Sequence, residues 1–148
     1  MRPILPFTIL AVVLTAAAVP TQAAGLVGAG LQIGWSTSPD DFLVGFHYNA
    51  RPMGEELDLV PSLDFGFGDV FMVAPNLDAH YVLKTSSKLM PYIGAGMSFP
   101  WYDFDGGSEW QFGGAVIGGV HVNPNIAFEA KLGLGDAPDW KFVFLLHK

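Results

Sequence analysis

Apolar positions alternate with small or polar positions along most of the chain, most clearly between Leu89 and Phe99. The odd-numbered positions of this stretch are apolar, whereas the even positions after Tyr92 are Gly94, Gly96 and a serine. A period of two indicates a β-strand with two different faces. Because the non-apolar face carries glycines instead of long polar side chains, it suits the cramped interior of a small barrel, with the apolar face turned outward.

The same alternation recurs in further segments that are separated by residues typical of turns. The predicted strands are 26–36, 41–50, 57–67, 70–83, 89–99, 110–122, 126–134 and 140–147. Strands of roughly 9 to 11 residues are expected of transmembrane barrels, of which the smallest have about eight strands. The pattern therefore predicts an all-β fold, an eight-stranded antiparallel up-and-down transmembrane β-barrel.

Two features complicate this assignment. Pro61 and Pro75 lie inside the third and fourth predicted strands. Because proline cannot donate to a sheet ladder, we expect local bulges or bends there. The segment 100–109 is expected to be the longest connection, an acidic loop.

The first 23 residues have the pattern of a secretory signal peptide. Arg2 supplies the positive charge, an apolar core follows, and the small residues around Ala23 suit a cleavage site. We therefore predict a signal peptide at 1–23, followed by a single outer-membrane β-barrel domain at 24–148.

The composition fits this division of the chain. It is 51% hydrophobic and only 14% charged, yet after residue 24 no run approaches the roughly 18 apolar residues of a spanning helix. A net charge of −7 argues against nucleic-acid binding, which needs a basic surface. The chain has no cysteine, which excludes disulfides and thiolate metal sites.

Aromatic residues are predicted to form two girdles. When the strands are traced up and down from a periplasmic amino terminus, tryptophans collect at one end and tyrosines near the other, as interfacial rings do. The predicted girdle residues are Trp35, Trp101, Trp110, Trp140, Tyr48 and Tyr81, with Tyr92 near the second level.

Charged residues on the inward faces are expected to pair inside the narrow lumen, because an isolated buried charge is strongly disfavoured. The predicted network consists of Asp58, Asp64, Asp78, His80, Glu129, Lys131 and Lys141, with Gln32, His47, Asn76 and Gln111 beside it. We interpret it as a structural plug, and a gated pore or proton path is the alternative.

Three glycine-rich segments resemble the small bacterial outer-membrane β-barrel proteins of the OmpA-type and opacity-like porin group. They are Leu59–Gly68, Pro91–Gly96 and Phe128–Gly135. The resemblance implies an eight-stranded barrel in the outer membrane of a diderm bacterium, inserted by the barrel-assembly machinery and without known catalysis. The chain departs from that family in its last residues, Leu-Leu-His-Lys, where these proteins commonly end in an aromatic residue.

Enzymatic and metal-binding functions lack the required patterns. Outer-membrane deacylases carry a His-x-Ser pair, whereas His121 is followed at that spacing by Asn123, so a nucleophile is missing. Asp103, Asp105 and Glu109 lack the spacing of a calcium loop. We therefore expect no catalytic residues, no cofactor and no bound metal.

The sequence thus predicts a non-enzymatic outer-membrane barrel with a structural, surface-interaction or minor permeability role. Its expected partners are outer-membrane lipid and lipopolysaccharide, and its expected oligomeric state is a monomer. The main alternative is a soluble periplasmic barrel of the lipocalin type, which turns its apolar face inward to bind a lipophilic ligand. A lipid-A-modifying barrel enzyme is the second alternative.

Overall fold

The computed structural model describes residues 28–50 and 56–147, so the predicted signal peptide lies outside the described residues. The described residues form ten strands and no helix. The strands are β1 (Gly28–Thr37), β2 (Asp41–Asn49), β3 (Leu57–Gly68), β4 (Phe71–Val82), β5 (Met90–Ser98), β6 (Trp101–Phe104), β7 (Gly107–Trp110), β8 (Gly113–Asn123), β9 (Ile126–Gly135) and β10 (Trp140–His147). Within these residues, no helix is long and apolar enough to cross a bilayer.

Eight of these strands close into an antiparallel barrel, which confirms the predicted all-β, eight-stranded barrel architecture. Neighbouring strands follow the order β3-β2-β1-β10-β9-β8-β5-β4, and the pairing of β3 with β4 closes the ring. Every neighbouring pair is antiparallel and, apart from β10 beside β1 and the β5–β8 pair, consecutive along the chain. Within the described residues, the barrel ladders have one register shift, which lies in β8 between His121 and Asn123.

The segment 100–109 is not the long loop that the sequence predicts. It contains β6 and most of β7, which pair with each other, and β6 continues the sheet beside the first residues of β4. The turn between them is Asp105-Gly106, the kind of dipeptide that favours a tight hairpin, and it is followed by Gly107 at a φ of +149°. The sixth barrel strand therefore begins at Gly113 rather than at Trp110.

The two strand prolines cause no bulge, so the prediction of a bulge is wrong. The β3–β4 ladder runs without a shift through Pro61 and Pro75. Because the N and O atoms of one strand residue point to the same side, the nitrogen of Pro75 faces Phe99, whose N–H donates to the Pro75 carbonyl. The nitrogen of Pro61 likewise faces β2, in the gap of the β2–β3 ladder between Ser62 and Leu59. Each missing donor thus falls where a neighbouring ladder is interrupted.

The barrel has two ends that differ in composition. We call one the tryptophan end, where the β1–β2, β3–β4 and β9–β10 turns and the β6–β7 hairpin lie. The opposite end, where β1 begins and β10 finishes at His147, is the histidine end. Alternate residues of each barrel strand face outward or into the lumen, which sets the contents of the two candidate functional surfaces.

Candidate functional site

The outward face of the barrel is a continuous belt of large apolar side chains. Members from every barrel strand are between 39% and 56% exposed, for example Leu31, Phe46, Phe67, Leu77, Ile93, Val116, Phe128 and Phe142. Contiguous exposed apolar patches beyond a few hundred square ångströms are rare on soluble monomers and indicate contact with a partner or a membrane. The described barrel strands are 8–12 residues long, which spans roughly 20–30 Å at the usual rise and tilt.

The tryptophans lie together at one level. Trp35 and Trp140 lie at the tryptophan end, 46% and 44% exposed. Trp101 and Trp110 face each other across the β6–β7 hairpin at the same end. Trp101 is half-buried and contacts the ring of Phe71.

The predicted tyrosine level is only partly present. Tyr81 is 46% exposed and donates a 2.9 Å hydrogen bond to Glu56. Tyr48, predicted at the same level, is only 8% exposed, because the alternation of β2 stops after Phe46 and its last three residues are all buried. Tyr92 is buried in the lumen.

All seven residues of the predicted lumen network are buried and face the interior. Asp58, Asp64, Asp78, His80, Glu129, Lys131 and Lys141 are each no more than 6% exposed. Gln32, His47 and Asn76 are buried with them. Gln111 is not, because it lies between β7 and β8, where its amide donates to Glu109.

Lys141 and Asp64 form the centre of one polar cluster near the tryptophan end. The Lys141 ammonium lies 2.6 Å from Asp64 Oδ2. Asn76 donates to the same oxygen at 3.0 Å, and Gln32 donates to Oδ1. Asp64 is therefore a buried carboxylate that is held by one cation and two amides, the condition under which a buried charge is tolerated.

Lys131 joins two further carboxylates deeper in the lumen. Its ammonium contacts Asp78 Oδ2 and lies 3.2 Å from Glu129 Oε1. The other Glu129 oxygen, Oε2, accepts a 2.9 Å hydrogen bond from the Tyr92 hydroxyl and lies 3.3 Å from His80 Nε2. Glu129 thus connects the lysine to the aromatic groups of the histidine end.

All four histidines of the chain meet toward the histidine end of the lumen. The His80 ring stacks on the Tyr92 ring, with centroids 4.7 Å apart. The His121 ring also contacts Tyr92, at a centroid distance of 4.8 Å. His121 is next to His147, whose Nδ1 lies 3.0 Å from His47 Nε2. We call this set, with Tyr92, the histidine row. The sequence marks each histidine as inward or terminal, but only barrel closure brings them together.

Inward glycines make room for these side chains. In the strand register, each of five lumen groups stands opposite a glycine: His47 opposite Gly30, Asp64 opposite Gly45, Asp78 opposite Gly96, His80 opposite Gly94 and Tyr92 opposite Gly119. A Cβ atom added at any of the five glycines would lie within 3.1 Å of the side chain it faces. At each of these glycines, a side chain of the neighbouring strand therefore packs directly over the backbone.

One buried carboxylate was not predicted. Asp41, the first residue of β2, is completely buried at the tryptophan end. It stands opposite Gly68, and its carboxylate oxygens occupy space next to Gly66 and Gly68, 3.1 Å and 2.6 Å from where a Cβ atom would lie. The same glycine pattern would have indicated its position, since both glycines are on the neighbouring inward face.

The lumen is filled along much of its length. Apolar side chains from several strands complete the packing around the polar clusters, and Leu43, Met72, Ile117, Val143 and Leu145 are each at most 5% exposed. Beside Asp78 and Lys131 remains a cavity of about 20 Å³, which is the size of a single water molecule.

One group of side chains in the described residues has the composition and spacing of a metal site. The ligating atoms of Asp78, His80 and Glu129 all lie within 4.8 Å of one another. The sequence does not reveal this group, because Glu129 is distant from Asp78 and His80 in the chain. The acidic residues of the predicted loop are elsewhere, on the exposed β6–β7 hairpin.

No family model, curated protein or solved structure matches this chain. The fold is therefore known from the structure itself, and the resemblance to OmpA-type and opacity-like barrels stays a prediction.

Proposed function

We propose that the chain is an integral β-barrel protein of a bacterial outer membrane, with a structural or surface-interaction role and no catalytic centre. The single observation that carries this proposal is the exposed apolar belt around the whole barrel. Only alternate residues of a membrane barrel contact lipid, so the belt and the polar interior are the arrangement expected of one.

The belt argues against the lipocalin-type alternative. A soluble barrel that binds a lipophilic ligand needs an apolar interior and a hydrated exterior. Here the interior holds Asp64, Asp78, Glu129, Lys131 and Lys141, all buried. Reversing the barrel would place these charges in water and the belt in the core, which the observed alternation opposes.

The filled lumen favours a structural role over a permeability role. The Lys141–Asp64 and Lys131–Asp78 pairs extend across the interior, with bonds to groups on other strands. A barrel of this size has an interior just wide enough for side chains to fill. An open aqueous path would need these pairs to separate, at the cost of exposing paired charges.

The tryptophan end offers the surface for interaction. There, an open groove of about 610 Å³ lies between the β3–β4 turn and the β6–β7 hairpin. Phe67, Phe71 and Phe104 line it, together with Asp69 and two further aspartates of the hairpin. We assign this end to the cell exterior, because membrane barrels place their longer connections outside.

The lipid-A-modifying alternative receives no support from the surroundings of His121. Its ring is 2% exposed and packs between the rings of Tyr92 and His147. A general base must reach the nucleophile that it activates, and these contacts place aromatic rings against His121 instead.

The test is fractionation of cells that express the full chain, followed by gel migration with and without heating. We expect the protein in the outer-membrane fraction and a different migration of the unheated form, since a closed barrel resists detergent. A matched control is the double variant Val116→Glu with Phe128→Glu, which places two charges on the lipid face and should reduce membrane recovery. Recovery of the wild-type chain as a soluble periplasmic protein would refute the proposal.

A further inference from the structure

The lumen carries more negative than positive charge around the histidine row. Asp78 and Glu129 are both at most 5% exposed, and Asp78 and His80 lie two residues apart on the inward face of β4. Lys131 is the lysine that pairs with this group, through Asp78 and Glu129. Two buried carboxylates against one ammonium form an environment that favours an additional cation.

The ligand atoms of this group already have near-coordination spacing. His80 Nε2 lies 3.3 Å from Glu129 Oε2 and has no hydrogen-bond partner, although the ring is only 3% exposed. Two ligands bound to one tetrahedral zinc ion at about 2.1 Å lie roughly 3.4 Å apart. The separation of at most 4.8 Å to Asp78 is within about 1.5 Å of that spacing, a difference that a small movement of a carboxylate closes.

The surroundings also hold the ligands in place. Tyr92 donates to Glu129 Oε2, and Lys131 contacts Asp78 Oδ2 and Glu129 Oε1. Gly94 and Gly96 leave the space that His80 and Asp78 occupy. Partners that orient the ligands of a metal are a regular feature of metal sites.

We propose that Asp78, His80 and Glu129 form a binding site for a divalent transition-metal ion of the zinc class inside the barrel. A mixed set of one imidazole and two carboxylates suits such an ion. Three protein ligands leave a coordination position for water. The ion adds the positive charge that the lysines of the lumen do not supply, and it links β4 to β9 across the interior.

The proposal is independent of where the barrel is located, so its test uses purified, untagged full-length protein in detergent. Co²⁺ is the probe, because its visible absorption reports coordination by protein ligands. We expect one Co²⁺ ion to bind per chain and to give a visible absorption band. The band should disappear when Zn²⁺ displaces the Co²⁺ ion. Zn²⁺ should also raise the unfolding temperature, and a chelator should reverse the increase, because a ligand of the folded state stabilises it.

Variants distinguish this site from the other histidines. His80→Ala and Glu129→Gln should abolish the Co²⁺ band, and Tyr92→Phe should weaken binding by about 10- to 100-fold, as loss of an orienting partner does. His47→Gln is the matched control, since it is a buried histidine outside the three-ligand group, and it should keep the band. Each variant is first checked for the migration of a folded barrel, and Asp78→Asn supplies a conservative ligand change.

Two results would overturn the proposal. One is a wild-type protein that binds no Co²⁺ and whose unfolding temperature Zn²⁺ does not change. The other is a band that survives in folded His80→Ala but disappears in His47→Gln, since this would assign the metal to the pair of His47 and His147.

Discussion

At the scale of single residues, the lumen depends on glycines that accept a neighbouring side chain. Gly119 faces inward beneath the Tyr92 ring, whereas its neighbour Gly118 faces outward with no atom near its Cβ position. Alanine substitutions at these two adjacent positions of β8 therefore distinguish the effect of lost space from the effect of replacing a glycine in the backbone.

We expect Gly119→Ala to lower the free energy of unfolding by about 1–3 kcal/mol, the usual cost of overpacking a filled interior. Gly118→Ala should be neutral or slightly stabilising, because alanine restricts the unfolded chain more than glycine does. Denaturant unfolding in detergent, followed by tryptophan fluorescence, measures both variants. Equal effects of the two substitutions would contradict the role given to Gly119.

The second residue-scale prediction concerns the buried pair of Lys141 and Asp64. Lys141→Met leaves the Asp64 carboxylate buried without its cation and should cost about 3–5 kcal/mol. The double variant Lys141→Met with Asp64→Asn should recover much of this loss, because no unpaired charge remains. Denaturant midpoints of the three proteins provide the comparison.

A surface pair is the control for this experiment. Lys84 lies 2.5 Å from Glu56, but the lysine side chain is 78% exposed. Exposed ion pairs contribute little to stability, so Lys84→Met should leave the midpoint unchanged. A loss as large as that of Lys141→Met would show that burial does not decide the strength of these pairs.

At the scale of elements, the sequence predicts the strands well where one face is apolar and the other is glycine or charged. The period of β9 and β10 follows directly from Phe128, Leu132 and Phe142 against Glu129 and Lys131. The barrel class follows too, because eight such segments with short turns have few other ways to pair. The alternation of apolar and inward residues can be recognised within a single segment, and each strand that pairs beside it repeats the same alternation.

The sequence pattern gives little signal for the β6–β7 hairpin, because its strands are only four residues long and β7 is exposed throughout. The Asp105-Gly106 turn was the available signal, but no apolar face supported it. The absence of a bulge at the two prolines could not be predicted either, because it depends on where the neighbouring strands end. The histidine row and the group of Asp78, His80 and Glu129 depend on contacts between distant strands, which a single sequence does not determine.

We expect the barrel to close without the hairpin, although Tyr102 of the hairpin packs with Leu43, Met72 and Ala74 of the barrel. The barrel ring closes through the β4–β5 and β5–β8 ladders, and a 2.8 Å hydrogen bond from Gln111 N–H to the Pro100 carbonyl brings the ends of the hairpin together. Replacing residues 101–110 by a short glycine-serine turn should therefore preserve the migration shift of the folded barrel on heating. Loss of the shift would show that the hairpin is needed for closure.

At the scale of the whole molecule, the barrel is filled with side chains inside and apolar outside. A filled lumen has a direct electrical consequence. In planar bilayers, the purified protein should give no stable conductance steps, because the paired side chains and the packed apolar residues fill much of the lumen, and the cavity beside Asp78 is the size of a water molecule. Regular steps that vanish on heat denaturation would contradict the plug and favour the pore alternative.

The lipid contact of the belt is the central claim, and the absence of cysteine makes it directly measurable. Single cysteines at Val116, Phe128 and Gly106 would carry a spin label in lipid vesicles, and the accessibility of each label to oxygen and to a water-soluble nickel complex would be compared. We predict high oxygen and low nickel accessibility at Val116 and Phe128, and the reverse at Gly106 on the hairpin turn. Nickel accessibility at Val116 and Phe128 equal to that at Gly106 would place the belt in water and contradict the account.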